Sequence, residues 1–308
     1  MTTKQKSRRP AGHVRAPKRN VSRQRTVSPW LVGAAAAGIV GLAVVIGTLV
    51  FGGGSTSTIG GLPNTPDYHS LLVSPSDPMR IRLGTHQGIF RSSDGGKTWQ
   101  ADALAGKDAM NLARPRGQTV WMAGHNVFEK SEDGGRSWQS VEPASLPSLD
   151  IHGFAVDPRY PDHLYAAVAG EGLYRSTDGG VTFSRLSDVG GAVMALAITR
   201  NGEILAGDMQ RGLLASPDGG RTWRDVLTAQ LMGIAINPAK PNLILATGPG
   251  ILRSTDGGRT WTQVLELADG AGPVAWSPSR PNTAYVVGFD RTLYRTEDAG
   301  ASWTAVSG

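Results

Sequence analysis

The sequence predicts an all-β propeller, and three observations carry that prediction. One turn-forming octapeptide recurs six times, its copies stand about forty residues apart, and short apolar stretches fill each interval in the same order. The clearest copy is Ser254-Thr255-Asp256-Gly257-Gly258-Arg259-Thr260-Trp261; the others occupy 92–99, 131–138, 176–183, 216–223 and 296–303. Between closing aromatics the intervals are 39, 45, 40, 38 and 42 residues, the length of one four-stranded blade.

The chemistry of the octapeptide explains its repetition. An Asp carboxylate at a tight turn accepts bonds from neighbouring amides, and the glycines tolerate positive φ. The ring that follows begins a strand and is expected to pack between blades, contributing about 2–3 kcal/mol by burial. At these residues the chain resembles the Asp-box (bacterial neuraminidase repeat) propellers, which include sialidases, xyloglucanase-type glycoside hydrolases, sortilin ectodomains and a photosystem II assembly factor. The resemblance covers 69–308 and implies a propeller; the six copies in phase make six four-stranded blades, with a seven-bladed ring left open. The resemblance also implies that Asp94, Asp133, Asp178, Asp218, Asp256 and Asp298 are structural. Phe183 replaces Trp, Ala299 replaces Gly, and Ser137 and Ser302 replace Thr.

The formal charge of +6 is unevenly spread. Nine of the 31 basic residues fall within residues 1–30 and no acidic residue precedes Asp67, so the remainder holds 22 basic against 25 acidic residues. A mildly acidic propeller offers no basic footprint for nucleic acid. The absence of cysteine excludes disulfides, thiolate metal sites and cysteine nucleophiles.

Taken in order, residues 1–29 read as a basic disordered cytoplasmic tail. Residues 30–51 are an uncharged run of 22, about 33 Å as a helix against a hydrocarbon core of about 30 Å, and read as one transmembrane helix. The basic flank places the N-terminus in the cytoplasm and the propeller outside. A cleaved signal peptide has a shorter apolar core of about 7–15 residues closed by an A-x-A-like site, so the reading is an uncleaved anchor. Residues 52–68 read as a Gly/Ser/Pro stalk and 69–308 as the propeller. Blade three shows the strand pattern most fully, from His152-Gly153-Phe154-Ala155-Val156-Asp157-Pro158 through the box to its last strand. No strand follows the sixth blade to return to the first, so ring closure is expected from packing or from the stalk.

Loops of an antiparallel meander alternate between its two faces, so with the boxes at the C–D turns, the D–A and B–C loops share the other face. Strand A opens at His69, Ala109, His152, Met194, Met232 and Gly272 in blades one to six. The B–C loops carry His86, His125, Glu171, Asp208 with Met209 and Arg211, Pro249, and Asp290. The expected ligand face is therefore His69, His86, His125, His152, Glu171, Asp208, Arg211 and Asp290.

Three functions fit this face. The leading one is a membrane-anchored, extracytoplasmic recognition or assembly module with a protein or glycan partner. A cell-surface glycosyl hydrolase would need an acid and a second carboxylate, for which Glu171 and Asp208 are the candidates and Asp67, Asp150 and Asp290 stand near. The sialidase Phe/Tyr-Arg-Ile-Pro start and arginine triad are missing. The third is a transition-metal site, copper foremost, built from His69, His86, His125 and His152 with methionines close by, since imidazole suits Zn, Cu, Ni and Fe and thioether favours Cu(I). The same histidines would otherwise simply line a wet channel mouth.

Overall fold

A computed structural model describes residues 58–306. The basic tail, the apolar run at 30–51 and most of the stretch read as a stalk lie outside the described residues. Among the described residues no helix is long and apolar enough to cross a membrane.

Six antiparallel sheets follow one another along the chain. Blade one holds β1 (Ile59–Gly60), β2 (Tyr68–Val73), β3 (Ile81–Thr85), β4 (Gly88–Ser92) and β5 (Thr98–Ala103). Blade two holds β6 (Asn111–Ala113), β7 (Val120–Gly124), β8 (Val127–Ser131) and β9 (Gln139–Ser140). Blade three runs β10 (Ile151–Val156), β11 (Leu164–Val168), β12 (Gly172–Ser176) and β13 (Ser184–Ser187). Blade four runs β14 (Val193–Ile198), β15 (Ile204–Asp208), β16 (Gly212–Ser216) and β17 (Arg224–Leu227). Blade five runs β18 (Gly233–Ile236), β19 (Ile244–Thr247), β20 (Gly250–Ser254) and β21 (Thr262–Glu266). Blade six runs β22 (Ala271–Trp276), β23 (Ala284–Gly288), β24 (Leu293–Thr296) and β25 (Thr304–Ala305). The one departure from four strands is β1, which pairs Ile59 with Trp99 and Gly60 with Thr98 on the outer edge of blade one.

The second strand of each blade is buried along its whole length or nearly so, because sheets lie against both of its faces. Six apolar clusters result, one at each seam between adjacent blades. Each box aromatic joins the cluster shared with the preceding blade: Trp138, Phe183, Trp223, Trp261 and Trp303 in order, and Trp99 at the seam between blades six and one. That last seam closes the ring mainly by packing, with Tyr68, Leu83 and Trp99 against Tyr285, Val287 and Leu293. The Tyr285 hydroxyl adds one bond to the Pro78 carbonyl at 3.1 Å.

The boxes follow a common bonding scheme. In the first, the Ser92 hydroxyl donates to Asp94 Oδ1 at 2.8 Å and accepts the Gly96 amide at 2.8 Å. Asp94 Oδ1 also accepts the Lys97 and Thr98 amides at 3.1 and 3.0 Å, and Oδ2 accepts the Thr98 hydroxyl. Gly95 and Gly96 both have positive φ, 78° and 94°, and a Cβ on Gly96 would stand 2.0 Å from Leu293 across the seam. Ala299 holds the same left-handed conformation at φ 63° where the other boxes use glycine.

These bonds favour the ionised carboxylate. The Thr182 hydroxyl, then its amide, pull Asp178 down to about 2, and the Thr222 amide and hydroxyl bring Asp218 to about 2. Asp133, Asp256 and Asp298 are held lower still, chiefly by the hydroxyls of Ser137, Thr260 and Ser302. At Asp94 burial pushes upward, and the bonds from Thr98, Ser92 and Lys97 outweigh it. A carboxylate with a depressed folded pKa contributes stability above its unfolded value of about 3.9 and loses it as pH falls. The boxes are therefore expected to add a fall in melting temperature that begins near pH 4 and continues through pH 2 as their carboxylates protonate. A flat profile across that window would contradict the bonding scheme.

Candidate metal centre

The box-free mouth of blades one, two and three gathers four histidines and three aspartates. Asp67 and His69 stand at the start of β2, Asp150 and His152 at the start of β10, and Asp108 just before β6. His86 and His125 each occupy the first position of a two-residue turn, between β3 and β4 and between β7 and β8. Asn126, beside His125, takes φ 54°, a conformation that asparagine tolerates, while Gly88 at φ 112° follows the first turn.

Hydrogen bonds between blades hold these starts together. The Ser70 hydroxyl donates to the Ala109 carbonyl at 3.0 Å, tying the residue after His69 to the residue after Asp108. The Asn111 side chain donates to the His152 carbonyl at 3.0 Å and accepts the Phe154 amide at 3.2 Å. Three strands from three blades thus open in one register, and the polar groups ahead of them converge.

Asp108 lies at the centre. Its Oδ2 contacts His125 Nδ1 at 2.5 Å and His86 Nδ1 at 2.8 Å. On the far side of each ring, His86 Nε2 is 3.2 Å from Asp67 Oδ2, while His125 Nε2 is 3.0 Å from His152 Nε2 and 3.5 Å from Asp150 Oδ1. His152 Nε2 is 3.1 Å from that same oxygen. Three sets of potential ligands overlap: Asp67, His69 and His86; His86, Asp108 and His125; His125, Asp150 and His152. His69 Nε2, Asp108 Oδ1 and Asp150 Oδ1 are buried without a hydrogen-bond partner.

Burial keeps two of the rings neutral. It lowers the His69 pKa to about 4, with His86 beside it adding to the effect, and it lowers that of His152 despite the raising influence of Asp150. A neutral imidazole is the ligating form. A cleft of about 390 Å³ opens beside the array, bordered by His86, Asp108 and His125 and by the ion pair of Lys107 with Glu129.

The four histidines expected on this face stand together. The rest of the expected face divides. Asp208 is buried, and its Oδ1 accepts the amides of Gln210 and Arg211, so it caps its own turn. Arg211 pairs with Asp225 at 2.8 Å, and Asp290 accepts the Tyr294 hydroxyl and the Thr292 amide. Among the described residues no hydrogen bond or ion pair joins Glu171 to Asp208 through their carboxylates. Met194 and Met232 open the strands of blades four and five, outside the three blades that carry the cluster. Asp108, the centre of the array, is absent from the sequence-based set. The sequence opens blade two at Ala109, one residue early relative to His69 and His152, which hides the correspondence of Asp108-x-Met110 with Asp67-x-His69 and Asp150-x-His152.

The BNR/Asp-box repeat model matches residues 90–101. No curated protein matches the chain. Among solved structures, the GH74 xyloglucanase from Xanthomonas campestris superposes with a TM-score of 0.58 at 16% identity, covering 82% of this chain and 47% of that one. YCF48 from Cyanidioschyzon merolae gives 0.52 at 17%, covering 82% and 88%, and YCF48 bound to D1 peptide gives 0.51 at 18%, covering 81% and 84%. The chain spans about half the length of the first GH74 chains it matches. At these identities the likeness is one of fold. The chain is a six-bladed β-propeller bearing Asp boxes, related in fold to GH74 enzymes and to YCF48.

Proposed function

We propose that this chain is a membrane-anchored, extracytoplasmic recognition module whose box-free mouth binds a divalent transition-metal ion and, in the cleft beside it, a partner. The observation that carries the reading is the convergence of His69, His86, His125 and His152 with Asp67, Asp108 and Asp150, drawn from three blades. Imidazole donors suit Zn, Cu, Fe or Ni, and the carboxylates extend the range to Mn. The anchor rests on the uncharged run at 30–51 and its basic flank. Support for a partner is indirect: YCF48, of the same fold, is known in complex with a D1 peptide.

The test uses the full-length chain in mild detergent, stripped with chelator and then offered Zn, Ni, Mn or Cu, or cell-surface oligosaccharides. Metal should raise the melting temperature and remain bound through dialysis, because a ligand at about a hundred times its Kd stabilises by about 2.7 kcal/mol. A shift with oligosaccharide alone would return the glycosyl hydrolase reading to the front. No shift and no retained metal would remove the metal from the function.

A further inference from the structure

The three ligand sets differ in how they can be combined. The central set shares His86 with the first and His125 with the third, so an ion there excludes the other two. The outer sets share no residue.

We propose that the array binds two divalent transition-metal ions at once, one held by Asp67, His69 and His86 and the other by His125, Asp150 and His152. Asp108 lies between them as a common orienting carboxylate. The inference rests on the metal reading above and adds its stoichiometry and the division of roles.

Ring orientation is the first argument. Both His86 and His125 turn Nδ1 to a single oxygen of Asp108, which leaves each Nε2 facing outward into a different set. A histidine ligand commonly gives its second nitrogen to a carboxylate, which fixes the tautomer and raises the basicity of the ligating nitrogen. Here one carboxylate serves two rings. An ion in the central set would consume both Nδ1 atoms and leave Asp67 with His69, and Asp150 with His152, facing nothing.

Distances supply the second argument. In the third set the edges between donor atoms are 3.0, 3.1 and 3.5 Å. Bonds of about 2.1 Å meeting at angles between octahedral and tetrahedral give edges of roughly 3.0–3.4 Å, so these three atoms already stand where an ion would hold them. Asp150 Oδ1 has two imidazole nitrogens within 3.5 Å, and His69 Nε2 in the first set is buried without a hydrogen-bond partner.

Register is the third. Asp-x-His opens the first strand of blades one and three, and blade two has Asp-x-Met at the same place. Histidine fills the first turn position in blades one and two. Two copies of each half-site make two complete two-histidine, one-carboxylate sets, and the aspartate without a histidine two residues on is the one left over for orientation.

The experiment is a Co(II) titration of the metal-stripped full-length chain in detergent, followed by visible absorbance, with bound metal counted after dialysis. A break at two equivalents is expected. His69→Ala and His152→Ala should each reduce it to one, and the double variant to none. Asp108→Asn should keep two equivalents while weakening both by about 10–100-fold. Circular dichroism checks that each variant folds, and the unmodified chain decides between one and two without any substitution. A break at one equivalent that persists in the His69→Ala/His152→Ala variant and disappears in His86→Ala overturns the two-ion arrangement while leaving the metal reading intact. A chain that retains no metal overturns both.

Discussion

Replacing Trp99 with alanine is expected to destabilise the propeller by about 3–5 kcal/mol, the range for removing a fully buried large aromatic. Trp99 is completely buried, whereas the tryptophans of the other boxes are only partly so. The difference comes from its surroundings. It sits at the one seam that joins the two ends of the ring, against Leu293 and Tyr285 of blade six, while Leu62 and Val306 pack against the same cluster. Its indole N–H donates to the Gly96 carbonyl at 3.0 Å, so truncation also leaves the box turn one bond short. Urea denaturation should show a lower midpoint with an unchanged slope, since the folded surface stays much the same. Trp303→Ala, at a half-buried ring, should cost clearly less. Equal costs for the two would mean that the closing seam carries no special share of the stability.

The second large effect links packing to the metal array. A Cβ on Gly124 would stand 1.9 Å from the Asp108 carbonyl oxygen and 3.2 Å from the Met110 amide nitrogen. Both are backbone atoms, so no side chain can swing aside, and the segment carrying Asp108 must move. Gly124→Ala is expected to cost about 1–3 kcal/mol as overpacking. It should also lower metal affinity by about 10–100-fold, because Asp108 would no longer meet His86 and His125 together. Thermal melts and a zinc titration read the two effects separately. At Gly60 an added methyl meets open space, and Gly60→Ala should leave both unchanged. Full affinity in Gly124→Ala would show that the position of Asp108 does not matter to the ligands.

The fold was legible in the sequence because its signal is local and repeated. Each octapeptide contains both the carboxylate and the groups that bond to it, and Trp99 stands three residues from its own acceptor. The histidine face was legible by topology, since alternation of loops carries His69, His86, His125 and His152 to one side. Asp108 was not, because blade two has the shortest opening strand, three residues, and its Asp-x-Met lacks the histidine that marks blades one and three. The surroundings of Asp208 were hidden for a different reason. A carboxylate on the expected face looks free in a sequence, but whether it is already occupied depends on where the amides of its own turn point, and here Gln210 and Arg211 take it. The pairing of Ile59 with Trp99 was equally hidden, since two residues among glycines and threonines carry no strand period.

That short outer strand has a mechanical consequence. Tension arriving along the N-terminal segment meets β1 first, which is fastened to blade one by two ladder pairs, a bond from the Gln100 side chain to the Thr58 hydroxyl and one from the Gly61 amide to the Lys97 carbonyl. Such a contact peels before the packed seam behind it yields. The strand acts as a fuse: a pull from that end would strip Ile59 and Gly60 from blade one while the ring, and the histidines at its mouth, keep their shape.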